Sequence, residues 1–318
     1  MNETKARMRL LGLPYFENIE ELANLIHIDS GRLKILIANT DSFYRKHSIA
    51  KRDGRTRVLH SPSNELKAIQ AWILRHILDR LSASSFATAY APKSRLIDNL
   101  SPHISNRYFL SIDIKDFFPS VRKPRVSRLF DKLGYGKTAC YILTRLCTYK
   151  AGLPQGGVTS PCLSNLVCLQ LDRRLAGLTS RRNVVFTRYA DDITFSTNNR
   201  GSLTRLLPLA YQVLREEGFQ PNIDKQRFMG PFTRCAITGL IKNSSEPSFG
   251  VGKTRKRQMR AVMYTIATGG VPFGRYPNES SIAGWLSFVK SVDPAGHRQM
   301  EQYWTALKGR VGVGRKVA

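Results

Sequence analysis

The chain has 318 residues and a formal net charge of +27, from 50 Lys and Arg against 23 Asp and Glu. Hydrophobic residues make up 42% of it, enough to bury a core, and its length indicates roughly two to three subdomains. So large a positive excess predicts a polyanionic partner, nucleic acid first and an anionic membrane second. No apolar run approaches the ~20 residues of a membrane span, and the charged N-terminus lacks the apolar stretch of a signal peptide. We therefore predict a cytoplasmic protein with no membrane partner.

The cysteines and histidines argue against a disulfide framework or a zinc site. The five cysteines are odd in number, widely spread and set in apolar surroundings, which is typical of reduced core thiols. No pair of them has zinc-finger spacing, and the six histidines form no HExxH motif. Candidate chemistry must therefore be sought among other side chains.

The N-terminal part is predicted to be helical and to be followed by a basic β-hairpin. Apolar residues at helical spacing predict that residues 1–50 form a small helical unit with no chemistry of its own. Over residues 51–62, Asp53-Gly54 is a strong hairpin signal and both arms are basic. This hairpin either clamps phosphates or is a solvated charged ribbon, and the sequence leaves both open. Ser63 is the predicted N-cap of a core helix of about four turns.

A short apolar strand over residues 108–113 is predicted to end in a carboxylate, Asp113. A carboxylate at the end of a buried strand is costly unless it is paired or bound to metal. Asp116 follows at a position where we expect a helix N-cap. Upstream of the strand, Asn99 and His103 occur in a polar loop and by themselves indicate only turn residues.

Two further helical stretches, 125–149 and 163–178, flank a glycine-bearing loop over residues 152–161. The two adjacent glycines of this loop, its glutamine and its small hydroxyl residues allow the backbone to approach a ligand closely. The loop lacks the Lys-Ser/Thr ending of a P-loop, so the sequence does not support nucleotide hydrolysis.

The stretch from Phe186 to Ser196 has two runs rich in β-branched and aromatic residues around the adjacent Asp191 and Asp192. This pattern predicts a hairpin with both carboxylates at its tip. Adjacent carboxylates repel each other, so we expect a cation to compensate them, and hard oxygen ligands suit Mg²⁺. The alternative is an ordinary surface turn, in which Asp is common.

The C-terminal part is predicted to be mainly helical and strongly basic. A helix over 203–217 is disturbed by Pro208, a short strand covers 237–241, and a linker runs from 243 to 252. The helices that follow carry basic residues beside aromatic ones, a combination that can bind phosphates and stack bases. Trp285 is predicted to be a core residue. The candidate nucleic-acid contacts are Lys253, Arg255, Lys256, Arg257 and Arg260.

The order of these features resembles the palm of reverse transcriptases. Asp113 ends one strand, Asp191 and Asp192 lie on a hairpin, and a Gln-Gly loop lies between them in the chain. The resemblance implies an α+β right-hand polymerase fold, with fingers, a palm of antiparallel sheet and helices, and a small helical thumb. The motifs that carry it are Tyr189-Ala190-Asp191-Asp192 and Leu153-Pro154-Gln155-Gly156, the latter followed by Ser160-Pro161 and Asn165.

The resemblance also implies a metal centre in the palm. In such enzymes Asp113 and Asp191 ligate two Mg²⁺ ions, Asp192 lies beside them, and the Ile114 carbonyl assists. Nucleotide transfer then depends on positioning and charge neutralisation more than on covalent protein chemistry.

Five contacts to the dNTP substrate follow from the same resemblance. The ring of Phe118 packs under the sugar and rejects a 2′-OH, and Gln155 lies near the template at the nascent base pair. Arg55 and Arg57 hold the triphosphate from the fingers. Lys225 is the candidate proton donor to pyrophosphate.

Within this superfamily the chain looks most like the bacterial retron reverse transcriptases. We expect a small thumb near the end of this short sequence and no RNase H or endonuclease domain. Asn99 and His103 match the retron Asn-Ala-x-x-His box with Leu100 in place of alanine, and Ile237-Thr238-Gly239 resembles the Val-Thr-Gly box. The resemblance to the retron thumb lies in Gly284-Trp285-Leu286-Ser287-Phe288 and Ser291-Val292-Asp293.

The retron resemblance implies a particular reaction and particular partners. The enzyme would copy part of its cognate structured non-coding RNA into single-stranded DNA, the msDNA, starting from a 2′-OH of an internal guanosine. Host RNase H would trim the template in trans, and a partner effector protein would connect the complex to phage defence. The alternatives are a group II intron-like or diversity-generating reverse transcriptase, and an RNA-binding scaffold without polymerase function, against which the three intact aspartates argue.

We expect six regions along the chain. They are an N-terminal helical region (1–50), fingers (51–107), the first part of the palm (108–123), fingers and palm helices (124–152), the rest of the palm with its hairpin (153–245) and a basic RNA-binding thumb (246–318).

Overall fold

The computed structural model describes residues 3–50, 54, 56–243, 247–271 and 276–314, without the side chains of residues 3, 4, 7 and 310–314. The helices within these ranges are α1 (Glu3–Leu10), α2 (Ile19–Ile26), α3 (Ser30–Ala38), α4 (Asn64–His76), α5 (Phe117–Ser120), α6 (Lys123–Leu133), α7 (Lys137–Cys147), α8 (Ser160–Val167), α9 (Leu169–Ser180), α10 (Arg200–Glu216), α11 (Lys253–Ala267), α12 (Glu279–Val292) and α13 (Pro294–Gly314). The strands are β1 (Tyr44–Ala50), β2 (Thr56–Pro62), β3 (Tyr108–Asp113), β4 (Val185–Tyr189), β5 (Asp192–Thr197), β6 (Arg227–Met229), β7 (Ala236–Ile237), β8 (Leu240–Lys242) and β9 (Phe249–Gly250).

The N-terminal region is α-helical as far as Ala38 and ends in a 3-10 turn over Thr40–Phe43, so the prediction of a helical unit over residues 1–50 is wrong for residues 44–50. Tyr44–Ala50 form β1, which pairs antiparallel with β2 from Tyr44 opposite Pro62 to Ala50 opposite Thr56. Only Tyr44 of this strand is buried, and its backbone pairing with β2 fixes its conformation. The predicted basic hairpin is present, although Asp53 and Arg55 lie outside the described residues.

A four-stranded antiparallel sheet forms the centre of the molecule, with the strand order β4-β5-β3-β6. Its strands are rich in β-branched and aromatic residues, and Phe109, Ile112, Ile193 and Phe195 are fully buried. Helices α9 and α10 pack against it. The register places Asp113 at the end of β3 directly opposite Asp192 at the start of β5. The sheet therefore brings the two predicted carboxylate sites to one edge.

Three segments differ from the sequence predictions. The helix expected over 163–178 is interrupted at Cys168, where ψ of 0° ends α8 before α9 begins, and both helices contact Arg188. The strand expected over 237–241 is a hairpin of β7 and β8, because Thr238 and Gly239 both take positive φ, 45° and 83°. The expected linker over 243–252 contains β9, which pairs with β8.

The C-terminal helices α11, α12 and α13 pack on a second hydrophobic cluster, which also takes residues from β7, β8 and β9. Trp285 is 4% exposed within it, which confirms the prediction of a core position. All five cysteines are free thiols, and four are buried. Within the described ranges, no helix combines the length and the apolar character that crossing a bilayer requires.

Candidate active site

The predicted hairpin is present, with its two aspartates at the tip. Strands β4 and β5 pair with Tyr189 opposite Asp192, and Ala190 takes a left-handed φ of 58° in the turn between them. The Asp191 carbonyl oxygen accepts a hydrogen bond from the Ile114 amide at 3.0 Å. This bond joins the tip to the end of β3, so that Asp113, Asp191 and Asp192 lie together at one edge of the sheet.

Negative charge is only partly compensated at this edge. Asp113 is 5% exposed and accepts hydrogen bonds from Asn222 Nδ2 at 3.0 Å and from Lys225 Nζ at 2.8 Å. Burial, and then the Asp113 charge, raise the pKa of Asp191. Burial, followed by the charges of Asp191 and Asp113, raises the pKa of Asp192 to about 6. The ionised carboxylates at the hairpin tip are therefore disfavoured in the free protein.

The chemistry of these residues fits a divalent cation. Carboxylate and carbonyl oxygens are the donors that hard cations prefer. The pKa values of Asp191 and Asp192 are raised, so a bound cation would stabilise their ionised forms. The Lys225 ammonium group on Asp113 already stands in for a cation there. Among the described residues, no three His, Cys, Asp or Glu side chains converge closely enough to hold an ion unaided.

A cavity of 750 Å³ opens beside the carboxylates and collects most of the predicted substrate contacts. Asp113, Ile114 and Asp191 line it, whereas Asp192 is not among its lining residues. Arg55 lies outside the described residues. The predicted dNTP-contacting residues that line the cavity are Arg57, Phe118, Gln155 and Lys225.

Asp116 and Tyr90 also line this cavity. Asp116 occupies the N-cap position of α5 with a φ of 48°, but its side chain makes no capping hydrogen bond, so the prediction of an N-cap is correct in position and wrong in bonding. Tyr90 was not singled out by the sequence. Burial, and then the nearby Asp191 carboxylate, raise the pKa of its phenol.

The loop that carries Gln155 is anchored to the β1–β2 hairpin and to α4. The His60 amide donates to the Gln155 carbonyl at 2.7 Å, and Gly156 has a φ of 120° with no room for a Cβ, which would lie 2.9 Å from the His60 carbonyl oxygen. Gln70 is fully buried, accepts from the Val158 amide at 3.0 Å and donates to both the Tyr44 hydroxyl and the Leu146 carbonyl. Sequence reasoning missed Gln70, whose only signal was a polar residue on the buried side of a helix.

The hairpin is supported from within by a buried ion pair that the sequence did not indicate. Arg188 and Asp172 are both 0% exposed and share two hydrogen bonds of 2.7 Å. A further Arg188 nitrogen, Nη1, donates to Asn165 Oδ1 at 3.1 Å and to the Ala190 carbonyl at 3.2 Å. Because Ala190 is the turn residue before the aspartates, this pair holds the tip in place.

Asn99 and His103 are buried at 1% and 0% exposure, so the interpretation as simple turn residues is wrong. The His103 ring nitrogens contact the Ser196 and Thr187 hydroxyls at 2.6 and 2.8 Å, across both strands of the hairpin. Burial lowers the pKa of His103 to about 4. The sequence indicated only turn residues here because a polar composition cannot reveal partners so distant in the chain.

The basic residues of α11 fall into two groups. Lys253, Arg257 and Arg260 are exposed, and Arg260 lies 5.7 Å from the Tyr303 ring centre. Arg255 is half-buried beside Phe288, and half-buried Lys256 forms a 3.0 Å ion pair with Asp293. The exposed group is available to a partner, whereas Lys256 is already engaged.

Comparisons with known proteins identify the family to which the sequence is similar. A family model described as reverse transcriptase (RNA-dependent DNA polymerase) matches residues 49–262. The chain is 35% identical over 308 residues to the retron Ec86 reverse transcriptase of Escherichia coli, covering 96% of this chain and 94% of that one. It is 31% identical over 312 residues to the retron Mx65 reverse transcriptase of Myxococcus xanthus, covering 91% and 72%.

Among solved structures, the telomerase of Candida albicans, in complex with a fragment of telomeric RNA, is similar with a TM-score of 0.51 at 13% identity. The match covers 82% of this chain and 54% of that chain, so the chain spans about half the telomerase length, and the similarity concerns the fold alone. The chain therefore belongs to the reverse transcriptase family and has its right-hand polymerase fold.

Within that family it is a bacterial retron reverse transcriptase, as the similarity to the Ec86 and Mx65 enzymes over nearly the whole chain shows. Its activity is that of an RNA-directed DNA polymerase, and family membership implies dependence on a divalent metal.

Proposed function

We propose that this protein copies part of its cognate structured non-coding RNA into single-stranded DNA, the msDNA, starting from a 2′-OH of an internal guanosine. The observation that carries the proposal is that Asp113 and Asp191 line a cavity that also presents cationic and aromatic side chains, with Asp192 paired opposite Asp113 in the sheet. Such an arrangement suits nucleotidyl transfer, in which the protein chiefly positions reactants and neutralises charge.

We propose that Asp113 and Asp191 hold two Mg²⁺ ions, with Asp192 beside them and the Ile114 carbonyl assisting. When bound, the ions would activate the primer hydroxyl and neutralise the triphosphate and the leaving pyrophosphate. The protein fixes these oxygens through the β3–β5 pairing and the Ile114–Asp191 backbone bond. Asp192 does not line the cavity, and its carboxylate adds negative charge beside the other two.

Lys225 is the proposed proton donor to pyrophosphate. Its ammonium group lies 2.8 Å from Asp113 Oδ2, its side chain is 53% exposed, and it already lines the cavity, where a substrate phosphate would come within its reach. Arg57, exposed at the cavity wall, and Arg55 are proposed to hold the triphosphate.

Phe118 and Gln155 are proposed to select the nucleotide. Phe118 is half-buried at the start of the α5 segment, where its ring packs on Phe117 and faces the cavity beside the carboxylates. That position suits a ring beneath the sugar that excludes a 2′-OH. Gln155 lies on the anchored loop opposite, where it is proposed to meet the template at the nascent base pair.

The RNA partner is proposed to bind the basic helix α11, since structured RNA is recognised largely by shape and phosphate contacts. Lys253, Arg257 and Arg260 are exposed there, and half-buried Arg255 and paired Lys256 lie beside them. Host RNase H in trans, a defence effector protein and a cytoplasmic setting complete the proposal. They are supported by the retron family and by no contact in this chain.

The test is the double substitution D191A/D192A in the full chain, expressed with its cognate RNA. We expect nucleotide incorporation to fall by roughly a thousandfold or more, because the metal-binding oxygens are lost, while RNA binding is retained. Nucleic acid extracted with the wild-type protein should be a short branched RNA–DNA.

The matched control is D131A, which removes an exposed carboxylate on α6 and should leave incorporation unchanged. Full incorporation by D191A/D192A would refute the site. A long linear product from the wild type would refute the retron reaction and favour an intron-type or diversity-generating enzyme.

A further inference from the structure

Tyr90 is an aromatic side chain in the catalytic cavity that has no role in the mechanism proposed above. It lines the cavity together with Asp191 and Phe118, and its ring centre lies 6.1 Å from that of Phe118. Although it is an aromatic residue, 48% of it is exposed. Part of the ring therefore packs on Phe118 while another part faces the space where a substrate would lie.

The segment before Tyr90 is fixed to the hairpin that carries the aspartates. Ala87 pairs with Arg188 as an additional parallel bridge on β4. The Arg188 amide donates to the Phe86 carbonyl at 2.8 Å, and the Thr88 amide donates to the Arg188 carbonyl at 2.9 Å. Backbone bonds therefore fix residues 86–88 to the hairpin, two positions before Tyr90.

A side-chain contact completes this attachment one residue before Tyr90. Asn165 Nδ2 donates to the Ala89 carbonyl at 2.7 Å, while Asn165 Oδ1 accepts from buried Arg188. The same network therefore holds both the turn at Ala190 and the approach to Tyr90. A displacement of one would be transmitted to the other.

The backbone of Tyr90 is strained where a substrate would be recognised. Its φ is 60°, in the left-handed region, which is unfavourable for a residue with a Cβ and is normally left to glycine or asparagine. Such strain persists only where the surroundings impose it, and it concentrates at functional sites. Simple packing on Phe118 does not account for the conformation, because half of Tyr90 remains exposed.

We propose that Tyr90 is a substrate-contacting residue of the nucleotide site, an inference that rests on the proposed function of this cavity. Its ring extends the aromatic wall begun by Phe118, and its hydroxyl donates a hydrogen bond to a phosphate oxygen of the incoming nucleotide. The position suits this contact, since Tyr90 lies between Phe118, assigned to the sugar, and Asp191, assigned to the metal. A tyrosine supplies both a flat apolar face and a polar tip.

The experiment compares Tyr90→Phe and Tyr90→Gly with the wild type in the full chain, by single-nucleotide incorporation on an RNA template with an external DNA primer. Tyr90→Phe removes only the hydroxyl, and we expect KM for dNTP to rise about three- to tenfold. Tyr90→Gly removes the ring as well, and we expect a rise of about tenfold or more. Because the contact is not at the 2′ position, KM for ribonucleotides should rise by the same factor.

Thermal unfolding separates binding from a structural role. Glycine tolerates the positive φ, which offsets stability lost with the ring and with the freer unfolded chain, so Tyr90→Gly should change the melting temperature little while weakening nucleotide binding. A structural tyrosine would give the opposite pair of results, a lower melting temperature with unchanged KM. The control Tyr141→Ala, which removes an exposed tyrosine on α7 outside the cavity, should change neither.

Two outcomes overturn the inference: KM values equal to the wild type in both variants, or a KM increase that is matched by loss of folded protein. Both leave the proposed function intact, because the external primer makes the assay independent of 2′-OH priming. Activity that survives D191A/D192A would instead overturn the site on which the proposed function depends.

Discussion

The β4–β5 hairpin, with the helix residue Asp172 that supports it, has paired charge in its body and, among the described residues, unpaired charge at its tip. In the body, Arg188 and Asp172 are fully buried, and each neutralises the other through two hydrogen bonds. At the tip, Asp191 and Asp192 have raised pKa values, because burial and neighbouring carboxylates disfavour their charge. The fold thus pairs the buried charges that support the hairpin, and within the part of the chain that the structure describes it leaves the carboxylates at the tip, where we propose that metal ions bind, without such a partner.

The largest effect on stability is expected from breaking the pair in the body. Arg188→Met or Asp172→Leu alone should lower the free energy of unfolding by about 3–5 kcal/mol, because each leaves one buried charge without its partner. The measurement is urea denaturation followed by circular dichroism. The double variant should recover most of the loss, and a loss equal to the sum of both single losses would show that the two residues are not coupled.

The control for this cycle is the exposed pair Arg95 and Asp98, whose side chains are 73% and 38% exposed. Arg95→Met should change the free energy of unfolding by less than about 1 kcal/mol, since exposed ion pairs contribute little.

A smaller effect on the free energy of unfolding is expected from His103, which contacts the body of the hairpin, when the pH is changed. Its pKa is about 4 in the folded protein against 6.5 ordinarily, so the unfolded chain binds the proton more readily. The neutral ring stabilises the fold fully above the ordinary pKa, and this stabilisation is lost as pH falls towards the folded value. Between about pH 7.5 and pH 5 we expect the free energy of unfolding to fall by about 2 kcal/mol from this source.

The His103 prediction is checked by urea denaturation at both pH values in the wild type and in His103→Gln. The variant should lack this component of the pH dependence. Identical pH profiles for the two proteins would contradict the assignment to His103.

Removing a charge at the tip should raise the free energy of unfolding, whereas breaking the ion pair in the body should lower it. Asp192 has a pKa of about 6 against 3.8 ordinarily, so its charged form burdens the folded state above that pH. In metal-free buffer at about pH 8, Asp192→Asn should raise the free energy of unfolding by about 1–2 kcal/mol, and the gain should shrink below about pH 5 as the wild type is protonated. Incorporation of dNTP should fall in the same variant.

Denaturation in buffer with a metal chelator measures this gain, and Asp131→Asn is the control for removal of an exposed carboxylate. A less stable Asp192→Asn protein would mean that the tip is structural like the body, and the contrast between the two would be lost.

The smallest effects are expected far from the hairpin, on α11. If Lys253 and Arg257 contact phosphates, Lys253→Gln and Arg257→Gln should each reduce the salt dependence of RNA binding by about one unit of slope. Lys256→Gln should leave the slope unchanged, because Lys256 is paired with Asp293. Filter binding across a salt series distinguishes these outcomes, and an equal reduction for Lys256 would place that residue on the RNA as well.

Local sequence patterns were sufficient to predict the strands that carry the three aspartates of the proposed site. The apolar run before Asp113 and the alternating runs around Asp191 and Asp192 each predicted a strand that the structure contains, and their meeting at one edge follows from antiparallel register. The three C-terminal helices and the buried Trp285 were likewise visible in the sequence.

What the sequence could not supply were contacts between distant parts of the chain. Gln70 and Leu146 are 76 positions apart, and His103 and Thr187 are 84 apart, so no local pattern distinguishes these polar residues from exposed ones. The β1 strand was missed for the same reason, because its residues are mostly exposed and its conformation depends on β2. Resemblance supplied a family for Asn99 and His103, but not their burial.

The pairing of residues 86–88 with β4 has a consequence for solubility. Strand β4 is the outermost strand on its side of the sheet, and an open edge presents unpaired amides and carbonyls to which another chain can add. Both backbone groups of Arg188 are occupied by Phe86 and Thr88, so that edge is closed near the C-terminal end of β4. Loosening this segment would uncover a template for edge-to-edge aggregation, and the segment thereby guards the polymerase against self-association.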